Sequence, residues 1–162
     1  MKTVDITCLC GSVQLRLSGE PAAQFYCHCD DCQATSGGAY VAVAVYPADA
    51  VSLTKGELVA AQPDRLCQVC RADAVSLTKG ELVAWTLKTM PRKPCAVCGT
   101  HVLAEVPGGK QIGIKANLLP TGVFKPTFHE HCRYAVVPVA DQLQHYKGYP
   151  VEFGGTDETV GW

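Results

Sequence analysis

Cys95-Ala96-Val97-Cys98-Gly99-Thr100, read together with Cys8-Leu9-Cys10-Gly11 near the start of the chain, sets the framework on which everything else is placed. Two thiolates separated by two residues reach one zinc ion through a tight turn, each sulfur about 2.3 Å from the metal in a tetrahedron. Gly99 directly after Cys98 suits that turn, because glycine accepts the positive φ that lets backbone N–H groups approach sulfur. The C-x-x-C-G segment is thus a half-site, and a half-site needs a partner. Cys8 and Cys10, one residue apart and followed by Gly11, supply two further thiolates and would close a four-cysteine structural site joining the N-terminal segment to the middle of the chain. Closed sites of this kind contribute to folding outright, with apparent binding free energies of about 10–16 kcal/mol in zinc-finger peptides. The competing reading of Cys8 and Cys10 is a pair of small buried hydrophobes.

Outward from this pair lies Cys27-His28-Cys29-Asp30-Asp31-Cys32. It offers three thiolates and not four, the pattern of a zinc that keeps a coordination position for water or substrate. A thiol entering that position would ionise to a thiolate. His28 stands between two ligands, so its side chain is expected to point away from the metal they share. Asp30 and Asp31 suit a soft, sulfur-rich site poorly as ligands and read as outer carboxylates. The alternative is a closed site completed by Cys132, Cys67 or a histidine.

The segments around these clusters are strand-like. Residues 3–17 alternate through Val4, Ile6, Val13, Leu15 and Leu17 and break at Gly11-Ser12, which predicts two strands around a turn. Residues 39–45 form a β-branched run suited to a buried strand. Residues 102–106, 111–114 and 134–139 read the same way. Prolines at 91, 94, 107, 120, 126, 138 and 150 are too evenly spread for long helices. The expectation is a mainly β fold of short strands in a single domain over residues 1–162.

Thirteen residues, Ala48-Asp49-Ala50-Val51-Ser52-Leu53-Thr54-Lys55-Gly56-Glu57-Leu58-Val59-Ala60, recur unchanged at 72–84, so that segment 48–71 repeats into 72–84 at an offset of 24. Solenoids need at least about three stacked repeats, so two identical copies indicate an in-frame duplication and not a repeat architecture. Each copy reads as a hairpin with Lys-Gly at its tip. Its neighbours offer one complementary apolar face, so one copy is expected to be peripheral. The duplicated unit also carries Cys67-Gln68-Val69-Cys70, where Arg71 stands in the position that Gly99 holds after the better pair. Free thiols or a local disulfide are expected there.

The 162 residues fit one domain, which should bury about 68–70% of the surface exposed by its unfolded chain. A net charge of −1 without any Lys/Arg block leaves no electrostatic footprint for nucleic acid or an acidic membrane. The longest apolar run, residues 40–46, is far short of the roughly 20 residues that cross a bilayer. The N-terminus lacks the apolar stretch of a secretory signal, and a cytoplasmic address is the expectation. In reducing cytosol, ten cysteines, all but Cys132 in clusters, indicate metal ligation or chemistry. The expected partner is a small-molecule thiol, with no nucleic acid and no membrane.

Cys8-x-Cys10-Gly11, Cys27-x-Cys29-x-x-Cys32, Ser36-Gly37 and Cys95-x-x-Cys98-Gly99-Thr100 together resemble the glutathione-dependent formaldehyde-activating enzyme family, which also includes centromere protein V. The resemblance runs over nearly the whole chain. It implies an Mss4-like fold of small antiparallel sheets, with a structural zinc at Cys8, Cys10, Cys95 and Cys98. It likewise implies a second, open zinc at Cys27, Cys29 and Cys32 that engages the thiol of glutathione. The implied reaction joins glutathione and formaldehyde into S-hydroxymethylglutathione, a carbon-sulfur lyase reaction when written in reverse. The duplication departs from the family pattern, and removing one copy restores it.

Two other functional classes remain open from the residues alone. One is a zinc-binding interaction module of the same fold without catalysis. The other is a methionine sulfoxide reductase-like enzyme, for which Cys132 would be the lone nucleophile. Phe128-His129-Glu130-His131-Cys132 does not reproduce the H-E-x-x-H helix of zinc proteases, so its histidines read as surface or core residues or as proton shuttles near the open zinc. Lys115, Asn117 and Lys125 read by default as isolated surface groups, or else as partners for the carboxylates of a glutathione-like ligand. The C-terminal Glu152-Phe153-Gly154-Gly155 reads as a turn and Trp162 as a packing anchor.

Overall fold

The computed structural model describes residues 2–55, 85–86 and 90–162. The second copy of the repeat, the end of the first, and Cys67 and Cys70 lie outside the described residues, as does the question of which copy is peripheral.

Strands β1 (Thr3–Thr7) and β2 (Gln14–Ser18) form the hairpin expected around Gly11-Ser12, pairing Ile6 with Leu15 and Val4 with Leu17. A third strand, β5 (Val51–Lys55), adds to β2 and completes a three-stranded sheet. The alternation that predicted these strands is what they bury: Ile6, Leu15, Leu17, Val51 and Leu53 all face the core. The start of the first repeat copy is thus a turn, Ala48–Ala50, leading into a core strand.

The second sheet runs β11 (Gln144–His145), β10 (Phe128–Glu130), β3 (Ala23–Cys27), β4 (Val41–Pro47), β9 (Gln111–Lys115), β8 (His101–Glu105), β7 (Pro91–Pro94) and β6 (Trp85–Thr86). The fold is mostly β, as expected. This sheet is mixed and not wholly antiparallel, because β10 pairs parallel with both β3 and β11. One short helix, α1 (Asp30–Ser36), follows β3. Ile112, Ile114, Val102, Leu103, Ala44 and Tyr46 meet the three-stranded sheet in one apolar cluster. A second cluster, Ala23, Phe25, Val41, Val45 and Phe128 with Cys27, Cys29 and Cys32, occupies the β3–β10 end.

Residues 134–139 are not the expected strand. Cys132–Tyr134 is a 3-10 turn, Val136 and Val137 are exposed, and Pro138 has no N–H to give a ladder. Their apolar character has no core behind it. The C-terminal turn is present as Val151–Phe153, and the Trp162 indole Nε1–H donates to the Val139 carbonyl at 2.8 Å. No helix among the described residues is long and apolar enough to cross a membrane.

Candidate functional site: two cysteine clusters

The four cysteines expected to share a structural metal come together from two turns. Cys8 and Cys10 occupy the β1–β2 bend, closed by Gly11 N–H to Cys8 O at 3.0 Å; Cys95 and Cys98 occupy the β7–β8 bend, closed by Gly99 N–H to Cys95 O at 2.8 Å. Gly99 has φ +69° and Gly11 φ +72°, the left-handed conformation that the motif required. Sulfurs 2.3 Å from one tetrahedral ion lie roughly 3.8 Å apart. Cys10 Sγ is 3.5 Å from Cys8 Sγ and 3.8 Å from Cys95 Sγ, with all four sulfurs within 4.8 Å of one another. The spacing suits zinc, and the cysteines are free thiols. Burial pushes the Cys95 thiol up to about 12, while the Thr100 hydroxyl draws exposed Cys98 down to about 5.

The second cluster is local. Cys27 ends β3, and Cys29 is the N-cap of α1, its sulfur accepting from the Cys32 N–H at 3.3 Å. A strand that runs straight into a capped helix therefore folds three sulfurs of a six-residue stretch onto one point. All three are buried and mutually within 4.8 Å, and among the described residues no fourth Cys, His, Asp or Glu joins the group. Cys132 is elsewhere, and burial pushes its thiol up to about 12, the state of a packing residue and not of a nucleophile.

Hydrogen bonds from Cys27 and Cys29 hold the Cys32 sulfur far below an ordinary thiol pKa, with Lys115 and Arg92 adding positive charge. Hydrogen bonds with Cys29 and Cys32, together with burial, hold Cys27 well above its ordinary value. Arg92 Nη2 donates to the Cys32 sulfur at 3.9 Å. Arg92 comes from β7 and Lys115 from the end of β9. Lys115 is 8% exposed and its Nζ has no hydrogen-bond partner among the described residues, which corrects its reading as an isolated surface charge. Its neighbour Asn117 lines, with Lys115, Tyr40, Ser36 and His101, a groove of about 480 Å³ that runs to Cys98 and Thr100 of the four-cysteine bend. That volume is within the range of small-molecule sites.

Glu130 is the residue that sequence reasoning passed over. The parallel register sets it opposite Cys27, its carboxyl bonded to that thiol, and burial raises it to about 8. Nothing in the sequence signals the pairing, because β10 is only three residues long. His28 points to the other face of β3, as its place between Cys27 and Cys29 predicted. It is fully buried, with Nε2 2.9 Å from His129 Nδ1. His129 is likewise fully buried; Lys125 lies among the loop residues, its N–H bonded to the Gln24 side chain.

Residues 3–134 match the family model described as glutathione-dependent formaldehyde-activating enzyme. No curated protein matches the chain. Among solved structures, a crystal structure of a Rhodobacter sphaeroides protein is similar at 15% identity and a TM-score of 0.47, covering 72% of this chain and 88% of that one.

Proposed function

The chain belongs to the glutathione-dependent formaldehyde-activating enzyme family, and on that premise we propose that it is a zinc-dependent enzyme of carbon-sulfur lyase type joining glutathione or a related thiol to a small aldehyde such as formaldehyde. The observation that carries this reading is the trio Cys27, Cys29 and Cys32, three converging buried sulfurs with no fourth Cys, His, Asp or Glu among the described residues within 4.8 Å of all three. Zinc held there would supply a Lewis acid that favours the thiolate form of a bound thiol. The Cys8, Cys10, Cys95 and Cys98 set, closed by four sulfurs, would hold a structural ion.

This chain's own residues supply the rest. Lys115 and Arg92 place positive charge beside the sulfurs, so an incoming thiol is drawn toward its anion. The groove beside Lys115 and Asn117 offers a cation and an amide to the carboxylates and peptide groups of glutathione. Tyr40 forms an apolar wall beside His28, their rings 5.0 Å apart. In the addition the sulfur joins the aldehyde carbon, a carbon-sulfur bond replaces the carbonyl π bond, and the thiol proton ends on the new hydroxyl. No further reactant is needed.

Thiols add to formaldehyde unaided in water, so the test must measure rate and not product. Exchange NMR between glutathione and S-hydroxymethylglutathione should show acceleration by the zinc-loaded chain. Cys29→Ser should lose one equivalent of zinc and return exchange to the rate in buffer. A wild-type rate equal to that of buffer, or full acceleration in the zinc-depleted variant, would leave a zinc-binding module without this catalysis.

A further inference from the structure

On the face of the mixed sheet opposite the cysteine trio, the parallel pairing of β10 with β11 sets His129 beside His145, their rings stacked 4.4 Å apart. Asp141, four residues before His145, reaches both: its Oδ2 is 2.9 Å from His129 Nε2 and its Oδ1 is 3.4 Å from His145 Nε2. Neither the family match nor the cysteine chemistry gives this cluster a task. We propose that His129, Asp141 and His145 form a further metal site, taking a divalent first-row ion with zinc preferred.

The spacing is that of ligands around an ion. Nitrogen and oxygen donors about 2.0–2.2 Å from one metal, at tetrahedral to octahedral angles, lie roughly 2.9–3.5 Å apart. One donor atom from each of the three residues lies within 4.8 Å of the others, and the distance from each histidine Nε2 to its nearer Asp141 oxygen, Oδ2 for His129 and Oδ1 for His145, falls in that window.

An orphaned atom points the same way. His145 is 8% exposed, and its Nε2 has no hydrogen-bond partner among the described residues. The ring bonds the Val139 carbonyl, and its Nε2 faces the Asp141 carboxylate at 3.4 Å. A buried imidazole nitrogen without a hydrogen bond, set beside a carboxylate, is a place that favours a cation. His129 is oriented for the same purpose: its Nδ1 is held by His28 Nε2 at 2.9 Å, the outer hydrogen bond that metal-ligating histidines typically make through the second ring nitrogen. The Leu143 N–H fixes Asp141 Oδ1 at 2.9 Å.

The surroundings fit an ion that exchanges with solvent. Trp162 packs edge-on against His145, 5.2 Å between centroids, and roofs the apolar side. The Asp141 side chain is 34% exposed and leaves a route from outside. Two imidazoles and a carboxylate suit zinc or iron(II) better than calcium or magnesium, and the ordinary affinity order places zinc above iron and manganese. The site shares no ligand with the cysteine trio, and its test is read separately.

The full chain, with Asp141→Asn and His145→Gln alongside it, would be saturated with zinc, freed of excess and analysed for metal content. Wild type should hold one equivalent more than either variant. Cobalt substitution separates this site from the sulfur sites: thiolate-to-cobalt charge-transfer intensity should be the same in all three proteins, while the weaker ligand-field absorption of a nitrogen and oxygen site is lost in the variants. Equal metal content in all three would overturn the proposal. Should the variants fail to fold, long-range proton-nitrogen spectra of wild-type histidines decide it: zinc should shift Nε2 of His129 and His145, and unmoved signals at saturation would equally overturn it.

Discussion

Lys115 carries its ammonium to the end of β9, where burial disfavours its charge and the Cys32 sulfur favours it. An unpaired buried cation is costly, and proteins keep one where it performs a task. Replacing it by methionine preserves the unbranched stem and removes the charge. Lys115→Met should therefore raise the unfolding free energy of the metal-free chain by about 1 kcal/mol, because a desolvated ion is replaced by an apolar group. The same change should weaken glutathione binding roughly tenfold or more, the loss expected from one hydrogen bond to a charged group, worth about 1.5–3 kcal/mol. Denaturant unfolding and titration calorimetry measure the two quantities separately. A variant that is less stable yet binds glutathione unchanged would make Lys115 a structural residue.

At the scale of elements, what the sequence made legible were local features. The hairpin of β1 and β2 was readable because alternation and the Gly11-Ser12 turn both lie within a few residues, and the cysteine sets because ligand spacing is a covalent fact. Three-residue β10 was not readable, and with it went Glu130, since parallel pairing with a strand a hundred residues away leaves no local trace, and the His129–His145 register, since two-residue β11 carries no alternation. Residues 134–139 misled for the converse reason: an apolar run states preference for burial but not whether a partner face exists. The repeat tests this distinction. Copy 48–60 and copy 72–84 carry the same side chains, so deleting residues 48–71 joins Pro47 to Ala72 and offers Val75 and Leu77 to β2 in place of Val51 and Leu53. Loop closure changes by only about 0.6 kcal/mol per halving of length. The shortened chain should fold with the same zinc content and with a melting temperature within a few degrees of wild type. Loss of cooperative melting would show that the two copies are not interchangeable.

Across the whole molecule the two cysteine sets differ in what they connect. Cys8 and Cys10 belong to the bend of the three-stranded sheet, and Cys95 and Cys98 to a bend of the mixed sheet, so a metal at that site ties two layers whose contact is otherwise the apolar cluster around Ile114 and Leu15. Cys27, Cys29 and Cys32 come from one strand end and the helix that follows it, so a metal there ties nothing that the chain has not already joined. The cost of losing each ion should follow that difference. Binding energy of the first site counts toward folding of the whole chain, and at about 10–16 kcal/mol in small zinc domains it rivals the 5–15 kcal/mol net stability of a typical protein. For a chain of this size, 1 kcal/mol moves the melting temperature by about 2–4 °C. Cys98→Ser should therefore lower the melting temperature of the zinc-loaded protein by more than about 10 °C, while Cys29→Ser should lower it by less than about 5 °C and still remove the activity. Calorimetry of the two variants side by side measures the ordering. Equal losses, or a larger one for Cys29→Ser, would mean that the trio holds the fold together and that its open position is incidental to its role.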